Sequence, residues 1–218
     1  MPRKHYRALV MLSGGLDSAV ALYWALEKGY SIETITFDYF LRSAREKESA
    51  ERLSKTAGCP MHNFDLGFLK EIEDTENRNP ELKDAPSAYI PSRNLIFYGI
   101  ASSIAEYLDA KYLVGGHNRD DVESFPDASP EFFEEFNNIT TLGLRTGSRT
   151  GRVVLPLAQM SKAQVLVAGK RLKVPFEDTW SCYKSGEKPC GKCPACALRA
   201  SAFNLAGLED PLITSSEF

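Results

Sequence analysis

Four of the five cysteines, Cys182, Cys190, Cys193 and Cys196, fall within fifteen residues, separated by seven, two and two positions. Four thiolates this close can surround one tetrahedral ion and leave no open coordination position, which is how structural zinc is held. The intervening glycines and prolines allow the turns that bring sulfur to about 2.3 Å from the metal, and Lys184, Lys188 and Lys192 offset the negative charge. A four-cysteine iron–sulfur cluster is the competing reading, and a redox-active dithiol the third. An odd number of cysteines grouped in this way argues against a disulfide framework and for a reducing compartment, the cytoplasm.

A second chemistry lies near the start, in Ser13-Gly14-Gly15-Leu16-Asp17-Ser18. Backbone N–H groups of a glycine turn between strand and helix converge on one concavity, where the helix terminus favours an anion. The glycines permit close approach and unusual backbone angles, and a side chain at Gly14 is expected to fill the space of the phosphate. Ser13 and Ser18 offer hydroxyls to phosphate oxygens, and Asp17 offers a carboxylate to magnesium or to a strand-end hydrogen bond. The Walker lysine pattern and the Gly-x-Gly-x-x-Gly fingerprint are both missing.

The elements that must carry these groups alternate. Apolar residues 7–12 predict a strand ending at the glycine turn, with a helix over 19–28 stopped by Gly29. Residues 31–38 predict a second strand, 46–57 a helix, 61–66 a third strand, 95–108 a long apolar helix, 111–115 a fourth strand, 153–157 a fifth and 162–172 a helix. This βαβα order implies an α/β fold with a parallel sheet. Residues 1–175 are expected to form the nucleotide-binding domain, and 176–218 a small four-cysteine zinc-binding region packed on it. Acidic residues 71–84 predict a mobile surface loop. Polar residues 137–152, with Gly143, Gly147 and Gly151, predict a flexible segment able to close over a ligand.

The 218 residues amount to one generous domain or one with an appendage, and 43% hydrophobic residues suffice for a substantial core. A net charge of −3 argues against nucleic acid as a partner. No apolar run approaches the roughly 20 residues of a membrane span, and no signal peptide is expected.

Together the SGGLDS string, Pro91-Ser92-Arg93-Asn94-Leu95, Ser124-Phe125-Pro126-Asp127 and Trp180-Ser181-Cys182-Tyr183 with the cysteine run extend the reading. The first resembles the SGGxDS pyrophosphate loop of N-type ATP pyrophosphatases, and the set resembles the 7-cyano-7-deazaguanine synthase family, closer to its archaeal-type members, over about residues 8–211. The resemblance implies a PP-loop ATP pyrophosphatase fold and an ATP-dependent carbon–nitrogen ligase. Such an enzyme converts 7-carboxy-7-deazaguanine and ammonia to the nitrile precursor of queuosine and archaeosine, with ATP, Mg2+ and structural Zn2+, often as a homodimer. Ammonia is expected free or from a separate nitrogen donor, because the chain has no room for a glutaminase.

On this reading Ser13, Asp17, Ser18, Arg93 and Lys162 are the candidate catalytic residues. Leu12, Ser13, Gly14, Gly15, Leu16, Asp17, Ser18, Arg93, Asn94, Gly115, Asp121 and Asp127 are the candidate nucleotide-binding set, with Asp120 an alternative to Asp121. His117 lies beside the site, although the family pattern requires no histidine there; His5 and His62 are expected to be inert, and Trp24 a core residue. Two segments depart from the bacterial pattern. Phe40-Leu41-Arg42-Ser43 keeps only the arginine of Gly-Gln-Arg-His, and Ala128-Ser129 replaces Cys-Arg. Both are expected to face the substrate. The rivals are adenylation of a deazaguanine acid for coupling to another amine, a tRNA-modifying PP-loop transferase relying on Cys59, and a zinc-ribbon nucleic-acid-binding module.

Overall fold

The computed structural model describes residues 6–73, 89–122 and 124–213. Five parallel strands, β1 (Arg7–Met11), β2 (Ser31–Asp38), β3 (Met61–Asp65), β4 (Tyr112–Val114) and β5 (Arg152–Val154), form one sheet in the order β3-β2-β1-β4-β5. The central strand reads Ala8-Leu9-Val10, all buried, as a parallel strand covered on both faces should. Helices α1 (Leu16–Glu27), α2 (Ala44–Thr56), α6 (Lys162–Arg171) and α7 (Pro194–Leu205) cover one face, sharing a core of Val20, Leu53, Val165 and Phe203. On the other face α3 (Leu69–Glu73), α4 (Arg93–Tyr107) and α5 (Pro130–Gly143) pack Leu69, Tyr98, Phe133 and Phe136 against Leu9 and Ile35. The chain runs outward from β1 through β2 to β3, then returns to β4 on the other side. The crevice at the carboxyl ends of β1 and β4 is therefore the switch point where open α/β sheets bind ligands.

Two expectations are corrected. The segment 137–152 is not a flexible connection: residues 137–143 complete α5, and 147–149 form a single tight turn. Ser129 caps that helix by accepting the Phe132 N–H at 3.1 Å, Pro130 sits in its first turn, and Phe133 and Phe136, three apart on one face, are buried. Asn137 reaches the edge strand, accepting the Val153 N–H at 2.7 Å and donating to the Val153 carbonyl at 3.4 Å, so a side-chain amide occupies the place of a further strand. Gly147 and Gly151 are spent on left-handed backbone, at φ +59° and +73°. The fifth strand is three residues rather than five, because Pro156 has no N–H to give a ladder. Of the expected loop 71–84, residues 71–73 end α3 and the rest lies outside the described residues.

The cysteine region is packed on the sheet domain through Ala202 and Phe203 of α7, which share the core of α1 and α6, and it is braced internally by one arginine. Arg199 on α7, 2% exposed, forms a bidentate pair with Asp210 at 2.6 and 2.8 Å and also donates to Thr179 Oγ1 and the Phe176 carbonyl. Buried, fork-matched pairing of this kind satisfies a charge that would otherwise be costly to bury. Among the described residues no helix is long and apolar enough to cross a membrane.

Candidate active site

The turn after β1 is organised by its two hydroxyls. Ser18 Oγ donates to the Gly15 carbonyl at 3.0 Å and accepts the Ser13 N–H at 3.2 Å, while Ser13 Oγ accepts the Gly15 N–H at 3.2 Å. Gly15 is the N-cap of α1 and no side chain caps that helix, so its first-turn N–H groups face the crevice, the arrangement that binds phosphate. A cavity of about 240 Å³ opens there, and Leu12, Ser13, Gly15, Asp17, Ser18, Arg93, Asn94 and Asp121 of the expected residues are on its wall. The wall also holds Tyr39, Arg42, Glu46, Phe97, Gly116 and His117.

Four expected binding residues stand elsewhere. Gly14, at φ +99°, turns toward α2, where an added Cβ would lie 2.2 Å from the Glu46 carbonyl oxygen. The missing side chain lets the loop approach the backbone of a helix closely. Gly14→Ala is therefore expected to cost about 3 kcal/mol or more of stability, from left-handed strain and overlap together, and to weaken ATP binding by displacing the loop; denaturant melts and nucleotide titration read both. Leu16 points into the core. Gly115 lies against Tyr98 and Leu155, and it is Gly116 that approaches the loop, with an added Cβ 2.8 Å from Ser18 N. Asp127 caps α4, accepting the Asn94 N–H at 2.9 Å, while its carbonyl accepts Asn94 Nδ2 at 3.0 Å.

Asp17 and Lys162 form an ion pair between α1 and α6. The second carboxylate oxygen of Asp17, Oδ1, is buried without a partner among the described residues, although buried acceptors are normally satisfied. Burial works against the Lys162 ammonium, but Asp17, Asp121 and Asp120 outweigh it and raise its pKa. The Lys162 N–H is capped by Asp120 at 2.9 Å, so of the two adjacent aspartates Asp121 faces the cavity and Asp120 caps α6.

Burial, reinforced by Asp17, pushes Asp121 up to about 6. Between about pH 4 and 6 the folded chain keeps a proton that the unfolded chain has released, so this group's contribution to stability falls as pH rises through that window. His117 has the opposite sign. Burial, then the Arg93 charge, holds it down to about 4, so its contribution is present above about pH 6.5 and falls as pH drops below that. The two oppose each other in the wild type. Asp121→Asn is expected to add up to about 3 kcal/mol at pH 7.5 and to make stability decline steadily on acidification from 6 to 4. Denaturant melts across that range are the measurement.

Arg42 carries a role that residue type alone does not reveal. Its guanidinium donates to the Phe37 carbonyl at 2.8 Å and the Ser13 carbonyl at 2.9 Å, clamping the end of β2 to the phosphate turn. Its neighbours do not line the cavity: Phe40 packs in the core, Leu41 is at the surface and Ser43 caps α2. Ala128 is buried and Ser129 caps α5. Of the residues at 40–43 and 128–129, expected to face the substrate, only the retained Arg42 lies on the cavity wall. Arg93 donates to the Tyr39 hydroxyl at 3.4 Å and lies 5.7 Å over the Phe125 ring.

The four cysteine sulfurs all lie within 4.8 Å of one another, with Cys182–Cys193 at 3.9 Å and Cys190–Cys196 at 4.0 Å. A tetrahedron of sulfurs about 2.3 Å from zinc has edges of about 3.8 Å, so the donor set fits one soft cation. This loop abuts the phosphate turn. The Trp180 N–H donates to the Gly14 carbonyl at 2.9 Å, Ser185 Oγ accepts the Ala44 N–H at 3.1 Å, and Arg45 donates to the carbonyls of Gly186 and Glu187, both at 3.0 Å.

The chain matches the family model described as queuosine biosynthesis protein QueC over residues 7–207. It is 40% identical to the 7-cyano-7-deazaguanine synthase of Thermoplasma acidophilum, over 97% of this chain and 92% of that protein. With the enzyme of the same name from Trichodesmium erythraeum it shares 38%, over 95% and 100%. Among solved structures it is similar to the U34-tRNA thiolase NcsA from Methanococcus maripaludis, with TM-score 0.51 and 16% identity over 93% of this chain and 66% of that one. A glutamine-dependent NAD+ synthetase from Acinetobacter baumannii gives TM-score 0.53 and 15% identity over 86% and 33%. At such identities the likeness is one of fold, a parallel α/β sheet. With its sheet, phosphate turn and four-cysteine cluster, the chain belongs to the QueC family of queuosine biosynthesis proteins.

Proposed function

We propose that this protein is an ATP-dependent 7-cyano-7-deazaguanine synthase that forms its nitrile through two adenylations. The carboxylate oxygen of 7-carboxy-7-deazaguanine attacks the α-phosphorus of ATP and pyrophosphate leaves; ammonia displaces AMP from the acyl-adenylate to give the amide. The amide oxygen is adenylated in turn, and loss of AMP with the amide protons leaves the nitrile. Both carboxylate oxygens depart on AMP, so no water is needed to balance the sequence. The observation that carries this reading is the unpartnered Asp17 oxygen beside an uncapped helix start, at the switch point of a family member's sheet.

Ser13, Ser18 and the N–H groups of the turn bind the β- and γ-phosphates that leave, and Lys162 lends positive charge from across Asp17. Asp17 and Asp121 would hold Mg2+, which when bound neutralises the charge of the leaving pyrophosphate. Arg93 orients the acid. No side-chain nucleophile is required, and positioning does most of the work. Zn2+ on the four cysteines is structural, in a region, 176–218, that we treat as an appendage of the nucleotide-binding domain 1–175. Ammonia arrives free or from a separate donor, the working form is a cytoplasmic homodimer, and the nitrile supplies queuosine or archaeosine. Against the tRNA-transferase reading, burial pushes the Cys59 thiol up, away from the thiolate, and Cys59 packs against the core behind α1.

Given the acid, ammonium and magnesium–ATP, the purified protein is expected to release two AMP and two pyrophosphate per nitrile and no ADP. The 7-amide should be converted with a single AMP. Product quantitation by chromatography decides: one AMP with the amide untouched would favour coupling to a different amine, and ADP would overturn the pyrophosphatase chemistry.

A further inference from the structure

His117 has no part in the chemistry above. Gly116, pressed against Ser18 and Asp17, carries the chain directly from the phosphate turn to His117 on the cavity wall. The imidazole lies against Phe133 with ring centroids 5.2 Å apart and planes 30° from parallel, and 5.8 Å from Tyr98. Tyr98 and Phe133 are each 2% exposed and meet edge-to-face at 4.5 Å, so a rigid aromatic layer sets the plane of the histidine ring.

Neither ring nitrogen meets a hydrogen-bond partner among the described residues, and the residue is half-buried on the cavity wall. His62 shows the contrast: its Nε2 lies 2.7 Å from Glu33. Burial and the nearby Arg93 charge keep the His117 ring neutral, in which form it carries one N–H donor and one acceptor. A donor and an acceptor fixed in plane on the cavity wall, with no protein partner among the described residues, are available to a ligand. Beside it stand the Arg93 guanidinium, suited to a carboxylate, and the ring of Phe97, suited to a flat face.

We propose that His117 is a specificity residue, whose donor and acceptor read the polar edge of the heterocyclic acid while Arg93 takes its carboxylate. This rests on the function proposed above. A wall built to hydrogen-bond a ring rejects analogues lacking the matching groups, because its own polar atoms are then left unpaired.

The test is equilibrium binding of 7-carboxy-7-deazaguanine, and separately of magnesium–ATP, to the wild type, His117→Phe and His117→Gln. Phenylalanine keeps the stacked ring and deletes both hydrogen-bonding groups; glutamine keeps a donor and an acceptor. His117→Phe should weaken the acid at least tenfold and leave ATP within twofold, with His117→Gln in between. Unchanged acid binding in His117→Phe, or equal loss of acid and ATP in both variants, would overturn the proposal. A wild type that does not bind the acid at all would instead overturn the function on which it rests, and the assignment of His117 with it.

Discussion

Asp17→Asn is expected to lower the rate of pyrophosphate release at least a hundredfold and to flatten its dependence on magnesium, with little change in melting temperature. The carboxylate is held on one side by Lys162, and its other oxygen is buried and unanswered. Leaving a buried acceptor unpaired costs about 1–3 kcal/mol, and a bound cation removes that cost. Asparagine keeps the shape of the first turn of α1 and loses the charge that the cation needs. On the proposed function Lys162 works through its pairing with Asp17, so Asp17→Asn with Lys162→Ala should be little worse than Asp17→Asn alone. Rates measured against magnesium concentration, beside thermal melts, separate this from a folding defect. A variant keeping both its rate and its magnesium response would remove Asp17 from the site.

Cys193→Ser should abolish the binding of one zinc per chain and lower the melting temperature by about 10 °C or more. Residues 183–188 are exposed, and the local core around the cluster consists of Trp180, Cys182 and Cys196. So little apolar burial contributes little to holding a loop of this length, and on the proposed function the ion supplies the difference. Structural zinc in small modules contributes about 10–16 kcal/mol; even about 5 kcal/mol here would move the transition by roughly 10–20 °C for a chain of this size. Metal analysis and calorimetry are the measurements. Iron with visible charge-transfer absorbance in protein purified without oxygen would exclude zinc. ATP binding should weaken in the same variant, because Trp180 leads into the cluster and its N–H holds the Gly14 carbonyl.

The two motifs and the parallel alternation were legible in the sequence because each is local. A glycine turn after an apolar strand and four thiols in fifteen residues need no distant partner to be read. What escaped depends on tertiary neighbours. Phe132, Phe133 and Phe136 carry helical spacing, but the glycines after them drew the reading toward a flexible segment, and only Tyr98 on the opposing helix shows which face is buried. The helix Pro194–Leu205 was hidden by its cysteine, taken as a ligand and not also as a helical position. Arg42 was singled out, yet its partners are backbone carbonyls from two other elements, which no spacing reveals. Gly14 and Asp127 were assigned to the ligand when one approaches a helix backbone and the other caps a helix; residue type marks a special position without saying what is special about it.

The hydrogen bond from Trp180 to Gly14 joins residues 166 positions apart, and this sets an order of events during synthesis. At about 5–20 residues per second the ribosome makes the glycine turn on the order of ten seconds or more before the tryptophan that holds it. In that interval Arg45 has no Gly186 or Glu187 to grip, and the turn is held by its own strand and helix, by Arg42 and by α2, without the contact to Trp180. A nascent or truncated chain that stops short of Trp180 therefore carries the glycine turn in an unlatched form. The near end of the fold is complete only when the far end has closed on it.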